Sequence, residues 1–226
     1  MRPESNMSFD VSPKEAVALQ HEMRHRVIAT GRIDARKVNL VAGCDASYMR
    51  GNDRMFAAVV VHSYPELEPV ESVSGSSPVT FPYVPGLLSF REIPSLLAVF
   101  EKLKSVPDVL LVDGQGLAHP RGFGIASHLG VMLGIPTIGV AKSVLVGEYD
   151  EPGEKRGGST DLVFKGERVG VALRTRDRVK PVFVSVGHMV ELDSAADFVL
   201  TCCTRYRLPE PARAAHELSN AARKEG

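Results

Sequence analysis

The chain has 226 residues, of which 44% are hydrophobic and 24% are charged, and this composition suits a globular protein with a full core. The 27 basic and 27 acidic residues cancel, only 6% of residues are aromatic, and Trp is absent. These values exclude a protein that coats nucleic acid through overall charge or broad aromatic stacking. Any such contact must depend on local basic patches or on metal ions.

Cysteine usage and hydropathy indicate the compartment. The chain has an odd number of cysteines, Cys44, Cys202 and Cys203, of which the last two are adjacent. Because they also lack the spacing of zinc ligands, we expect reduced thiols. The first residues contain no apolar signal-peptide core, and no apolar run approaches the length that spans a membrane. We therefore expect one cytoplasmic domain over residues 1–226 without a membrane segment, and a monomer by default.

The first half of the chain predicts a helix followed by antiparallel strands. Ser12-Pro13-Lys14-Glu15 has the pattern of a capping box, after which one helical face carries Ala16, Leu19, Met23 and Val27. Strands are predicted at 38–48, 55–64 and 68–74, the first two joined by turn residues at 51–53. A Ser/Gly/Pro-rich loop and a helix at about 90–104 follow.

The second half alternates strands and helices. A short apolar run at 109–112 is typical of a buried parallel strand, and a helix at 125–133 ends at Gly134. Further strands are predicted at 137–141, 169–173 and 182–186, with an exposed loop at 150–158 and closing helices near 194–204 and 211–223. The sequence thus predicts an α/β fold, a mixed sheet flanked by helices, whose ligands gather at the carboxyl ends of parallel strands.

Three carboxylates stand out, each with a simpler explanation beside the functional one. Asp45 interrupts an apolar strand, and it either marks an exposed edge or is buried against a partner or metal. Asp113 directly follows the run at 109–112, where a site or a plain Asp-Gly turn is expected. Glu92 completes a capping-box pattern that begins at Ser89, so the pattern alone favours a structural role.

Other candidate residues are weaker individually. Lys142 follows the strand at 137–141 and is either a phosphate contact or a solvated lysine. His119 in a Gly-rich loop and His216 in the last helix are, taken singly, more often structural than ligands. The segment Pro82-Tyr83-Val84-Pro85-Gly86 is either a packed connector or a rigid aromatic tip that enters a base stack.

Together these residues suit phosphodiester cleavage. Two hard cations about 3.5–4 Å apart activate water and stabilise the leaving oxygen, and a few carboxylates suffice to hold Mg²⁺. The alternatives are a noncatalytic module that only binds nucleic acid and a hydrolase of small phosphate esters. The complete carboxylate set counts against the first, and the aromatic tip counts against the second.

From about Val41 to His216 the chain resembles the endonuclease V family. The segments that carry the resemblance are VAGCDASY at 41–48, PYVPGLLSFRE at 82–92, LLVDGQGLAHPRGFGIASHLG at 110–130, PTIGVAKSVLVG at 136–147, VFVSVGH at 182–188 and YRLPEPARAAH at 206–216. Each segment is weakly specific, whereas their order and combination are highly specific.

The resemblance implies a ribonuclease H-like fold and assigns roles. Asp45, Glu92 and Asp113 match the metal-binding carboxylates, His216 matches a histidine that contacts metal directly or through water, and Lys142 matches a catalytic lysine at the scissile phosphate. Residues implied to bind the lesion or its flanks are Tyr83 as the strand-separating wedge, Pro82, Val84, Pro85, Gly86, Leu88, Arg91, His119, Arg121, Gly122 and Ser143.

The implied reaction is metal-dependent nicking of DNA at the second phosphodiester bond 3′ to deoxyinosine, leaving a 3′-hydroxyl and a 5′-phosphate. Mg²⁺ is the implied cofactor, with Mn²⁺ able to replace it. The resemblance leaves open whether inosine-containing RNA is also cut.

Overall fold

The computed structural model describes residues 8–49 and 53–225. The strands are β1 (Leu40–Tyr48), β2 (Arg54–Ser63), β3 (Pro69–Pro78), β4 (Val109–Val112), β5 (Thr137–Ala141), β6 (Ser159–Phe164), β7 (Glu167–Leu173) and β8 (Val182–His188). The helices are α1 (Pro13–Arg24), α2 (Leu88–Phe100), α3 (Ile125–Leu133), α4 (Leu192–Thr201) and α5 (Glu210–Glu225).

All eight of these strands form one mixed sheet in the order β3-β2-β1-β4-β5-β8-β7-β6. The pairs β1–β4 and β4–β5 are parallel, and the remaining pairs are antiparallel. This confirms the predicted α/β class and the mixed sheet. It also places β1 in the interior of the sheet, so Asp45 does not lie on an edge strand.

Alternate side chains along each strand point to opposite faces of the sheet, so the core has two parts. Ala42, Cys44, Leu110 and Val112 pack with α2 and α3, whereas Val41, Val109 and Leu111 pack with α4 and the start of α5. This follows from the two-residue period of a strand. Asp45 continues the second series, so the sequence of β1 directs its side chain toward the face covered by α5.

Several predicted elements are confirmed with the same bounds, namely the strands at 109–112 and 137–141 and the helix at 125–133, which ends on left-handed Gly134. The hairpin of β1 and β2 is confirmed, although Gly51 and Asn52 of its predicted turn lie outside the described residues. The capping box of α1 is present, with Ser12 and Glu15 bonded reciprocally. The three cysteines are free and buried, as predicted.

Other predictions were wrong. On α1, Ala16, Leu19 and Met23 do pack against the core, but the helix ends at Arg24, so Val27 lies beyond it, and buried Gln20 was not predicted. The Ser/Gly/Pro segment after residue 74 does not form a loop, because it extends β3 to Pro78 along β2. Strand β6 was missed because most of its residues are partly or fully exposed and it lacks an apolar run.

The turn between β6 and β7 did carry a signal. Lys165 and Gly166 both have positive φ and join paired residues Phe164 and Glu167. This is the geometry of a two-residue hairpin turn that favours Gly. Among the residues 8–49 and 53–225, no helix has both the length and the apolar character needed to cross a bilayer.

Candidate active site

Strand pairing brings the first two acidic residues together. Cys44 of β1 pairs with Val112 of β4 in parallel register, so Asp45 and Asp113 follow at adjacent carboxyl ends. Their side chains are only 10% and 14% exposed. The sheet therefore presents two nearly buried carboxylates at one point, as expected for ligand sites of parallel strands.

Helix α5 completes this cluster. His216 Nδ1 lies 3.2 Å from Asp45 Oδ2 and 3.8 Å from Asp113 Oδ2. The helix can approach because Gly43 has no side chain: a Cβ there would lie 2.1 Å from the carbonyl of Pro211. A small residue on β1 thus determines how closely His216 approaches the carboxylates.

Glu92 lies on α2, close enough to Asp45 and Asp113 for their charges to act on its carboxyl group. Helix α2 begins at Leu88 after an N-cap residue, Leu87, that makes no side-chain cap bond, so the predicted capping box is wrong. Ser89 already lies in the first turn, where its hydroxyl is 3.1 Å from His128 Nδ1. Glu92 is therefore not needed to cap the helix.

Burial, with a contribution from neighbouring carboxylates, raises the pKa of Glu92 and of Asp45. Burial, then the charges of Asp45 and Asp113, raise the pKa of Glu92 to about 8. Burial likewise raises the pKa of Asp45, while a hydrogen bond from Ser219 opposes this shift. Crowded, partly desolvated carboxylates of this kind are stabilised by a cation between them.

The donor set fits a hard divalent cation. Within the described parts of the chain, one group of potential ligand atoms lies within 4.8 Å of one another, and it comprises Asp45, Asp113 and His216. Glu92 is not in this group and is linked to it electrostatically. Carboxylate oxygens with one imidazole suit Mg²⁺ or Mn²⁺, and they lack the thiolates or paired histidines of a typical zinc site.

A cleft of about 390 Å³ opens beside the carboxylates. Its predicted lining residues are Tyr83, Val84, Pro85, Gly86, Leu88, Asp113, His119, Lys142 and Ser143. Its unpredicted lining residues are Ser89, Gly114, Gln115, Gly124, Ile125, Ala141, Val144 and Leu145. The volume is within the range of small-molecule sites, and the wall formed by Asp113 and Lys142 connects the cleft to the cluster.

The rim of the cleft carries an exposed aromatic side chain. Tyr83 is 72% exposed, and the neighbouring Pro82 and Pro85 are also exposed. Gly86 turns the chain with a φ of 77°, a left-handed conformation that favours glycine. The segment is therefore a stiff projection with an uncovered ring at its tip.

The carbonyl of Gly86 fixes this segment to the protein. It accepts hydrogen bonds from Gln20 Nε2 at 3.0 Å and Arg121 Nη2 at 2.5 Å, and His119 Nε2 lies 3.0 Å away. Burial lowers the pKa of His119 to about 4, with help from the charge of Arg121, so its ring is neutral at pH 7. His119 and Arg121 therefore support the rim.

Lys142 and Arg91 differ in how firmly the protein holds them. The Lys142 ammonium forms an ion pair with the Asp113 carboxylate and keeps 38% of its side chain exposed. Arg91 donates to the carbonyl of Phe81 at 2.9 Å and stacks on Tyr48, which braces the segment before Tyr83. Gly122 has a φ of 62° and lies against Arg24, outside the cleft.

Four polar residues near the site were missed from the sequence. Gln20 supports the rim, and Gln115 donates to the carbonyl of Ser143 at 3.0 Å. Ser219 and Asn220 on α5 contact Asp45 and His216. Gln20 and Ser219 did leave a signal, since both recur at helical spacing among the buried small or apolar residues of their helices.

Known proteins match both the sequence and the fold. The family model described as Endonuclease V matches residues 21–217. Endonuclease V from Gloeobacter violaceus is 49% identical, with 98% of this chain and 92% of the relative covered. Endonuclease V from Dehalococcoides mccartyi (strain ATCC BAA-2100) is 50% identical, with coverages of 92% and 93%.

Solved structures agree. Endonuclease V from Streptomyces avermitilis has a TM-score of 0.90 at 46% identity, over 95% of this chain and 94% of its own. Endonuclease V from Ciona intestinalis, in complex with a 24mer DNA containing an inosine followed by a ribo-adenosine, has a TM-score of 0.84 at 35% identity, with coverages of 94% and 98%. The protein is a nuclease with a ribonuclease H-like fold. More specifically, the chain belongs to the endonuclease V family.

Proposed function

We propose that this protein nicks DNA at the second phosphodiester bond 3′ to deoxyinosine and leaves a 3′-hydroxyl and a 5′-phosphate. Asp45, Asp113 and His216, with Glu92 nearby, form the acidic cluster. The observation that carries the proposal is that Asp113 belongs both to this cluster and to the lining of the cleft. A base held in the cleft therefore lies beside the groups that act on its strand. The Ciona relative in complex with inosine-containing DNA supports the choice of lesion.

The proposed role of each residue follows from its position in the site. Asp45, Asp113, Glu92 and His216 would hold Mg²⁺ or Mn²⁺, His216 directly or through water. The cation, when bound, activates water and offsets the charge that develops on the phosphate. Water loses a proton and its oxygen bonds to phosphorus while the P–O3′ bond breaks, and the released 3′ oxygen takes up a proton.

Lys142 contributes a point charge beside the scissile phosphate, since its amine already lies against Asp113 and remains accessible. Tyr83, with Pro82, Val84 and Pro85 holding it stiff, enters the stack and helps to expel the base. Gly86 and Leu88 line the pocket for that base. Arg91, His119 and Arg121 maintain the rim, Gly122 provides the left-handed turn that follows Arg121, and Ser143 extends the wall next to Lys142.

We further propose that residues 1–226 form one catalytic domain that works as a cytoplasmic monomer. The continuous eight-stranded sheet supports a single domain. Inosine-containing RNA is a second substrate to test, because the DNA in the Ciona complex carries a ribo-adenosine after the inosine.

A nicking assay tests the function. Two end-labelled duplexes that differ by one deoxyinosine are incubated with the protein and Mg²⁺, with and without chelator. We expect one nick, at the second bond 3′ to the inosine, which chelator abolishes. Asp197→Asn, at an exposed acid on α4, should cut like the wild type, whereas equal cutting of both duplexes would refute recognition of the lesion.

A further inference from the structure

One turn of α5 contacts two members of the acidic cluster through side chains that have no place in the proposed reaction. Ser219 Oγ donates to Asp45 Oδ2 at 2.5 Å, and Asn220 Nδ2 lies 3.2 Å from His216 Nε2. Ser219 is completely buried and Asn220 is partly buried. These contacts connect the helix to β1 at the point where the candidate ligands meet.

The Ser219 hydroxyl has one hydrogen and two nearby acceptors. The carboxylate oxygen of Asp45 lies at 2.5 Å, and the carbonyl of His216 lies at 3.1 Å. A charge-assisted bond is about twice as strong as a neutral one, so the hydrogen goes to Asp45. This fixes Oδ2 in a dry environment and thereby determines the direction of the second carboxylate oxygen.

Asn220 restrains the imidazole in a similar way. Its amide nitrogen donates to the carbonyl of His216 at 2.8 Å, which identifies the amide atom on that side as nitrogen. The same nitrogen lies 3.2 Å from Nε2 of the ring, and because it can only donate, Nε2 is the acceptor and Nδ1 of the neutral ring carries the hydrogen. The Nδ1–H group therefore faces Asp45 and Asp113, where it can donate to a carboxylate or to a water between them.

We propose that Ser219 and Asn220 are positioning residues: Ser219 holds Asp45 in the orientation in which it takes a divalent cation, and Asn220 holds His216 with its Nδ1–H toward the water of that cation. Groups that orient metal ligands in this way typically change metal affinity by about 10- to 100-fold when removed. The inference rests on the proposed function only for its cleavage measurement. Its binding measurement stands alone.

The chain provides a matched control. Ser47 Oγ on β1 donates to the backbone carbonyl of Ser219 at 3.0 Å, so it joins the same strand to the same helix without touching Asp45. Ser47→Ala removes a hydroxyl and one strand–helix hydrogen bond, as Ser219→Ala does. Of the two changes, only Ser219→Ala removes a hydrogen bond to a candidate ligand, Asp45.

The experiment compares full-length wild type, Ser219→Ala, Asn220→Ala and Ser47→Ala. Mn²⁺ affinity is measured by titration calorimetry, folding by urea denaturation, and kcat and KM on the inosine duplex. We expect Ser219→Ala and Asn220→Ala to bind Mn²⁺ about 10- to 100-fold more weakly, and kcat to fall while KM stays unchanged. Ser47→Ala should stay within about threefold of wild type, and Ser219→Thr, which keeps the hydroxyl, should recover much of the lost affinity.

Wild-type Mn²⁺ affinity in both Ser219→Ala and Asn220→Ala would overturn the inference, as would an equal loss in Ser47→Ala. A wild-type protein that binds no Mn²⁺ would overturn it too, because the ligand set itself would be wrong. If the wild type binds Mn²⁺ without nicking the inosine duplex, the proposed function fails, and the binding measurements still decide the roles of Ser219 and Asn220.

Discussion

Gly43→Ala should damage the active site without touching any group in it. The new Cβ would lie 2.1 Å from the carbonyl carbon and oxygen of Pro211 and 2.5 Å from the amide nitrogen of Ala212. These are backbone atoms at the start of α5, and no flexible side chain can yield instead. The gap between β1 and α5 must therefore widen by about 1.3 Å to reach an ordinary contact.

This displacement has two measurable effects. Overpacking of this kind costs about 1–3 kcal/mol, so the free energy of unfolding in urea should fall by that amount. Because α5 carries His216, a shift of this size also moves the imidazole from Asp45, now 3.2 Å away. A misplacement of 1 Å can cost about 100-fold in rate, and we expect a loss of that order in the nicking assay.

Gly153→Ala is the matched control, because a Cβ at Gly153 would meet no atom within 4 Å. Its stability and cleavage rate should equal those of the wild type. If Gly43→Ala unfolds and cleaves like Gly153→Ala, then the close approach of α5 to β1 does not determine the geometry of the site.

Three further outcomes are expected. Asp113→Asn should lower Mg²⁺-dependent nicking by more than about 100-fold, while duplex binding in gel shifts stays near that of the wild type. Unchanged cleavage would show that Asp113 is not a metal ligand. Tyr83→Ala should lose about 1–3 kcal/mol of stacking, seen as weaker inosine-duplex binding that Tyr83→Phe restores, with no change in urea midpoint because the ring is exposed. Burial lowers the pKa of His128 from 6.5 to about 3, so the unfolded chain binds the extra proton first as the pH falls. The resulting loss of about 2 kcal/mol between pH 7 and pH 5 should shrink in His128→Gln, and an identical slope in that variant would contradict this account.

The sequence predicted the carboxylates of the strands better than the contacts of the helices. Four apolar residues followed by Asp113 predict a buried strand with a carboxylate at its end, and the structure has that arrangement. The proximity of Asp113 to Asp45 depends on the parallel register of β1 and β4, which no local pattern encodes. The resemblance to a known family supplied that long-range information.

Helix residues were harder to interpret, because one pattern can serve two purposes. The sequence Ser89-Phe90-Arg91-Glu92 matches a capping box, yet the helix begins earlier and Glu92 faces the acidic cluster. Ser219 occupies a buried position on α5, one turn beyond Ala215. A small polar residue on such a face is easily taken for packing, whereas here its hydroxyl meets a carboxylate.

The candidate ligands are scattered along the chain, from Asp45 on β1 to His216 on α5. During synthesis, the strands that carry the aspartates leave the ribosome well before α5 does. A partly made or C-terminally truncated chain therefore lacks the imidazole and the two side chains that orient the cluster. On this proposal the complete group of Asp45, Asp113 and His216 assembles only once α5 has docked on β1.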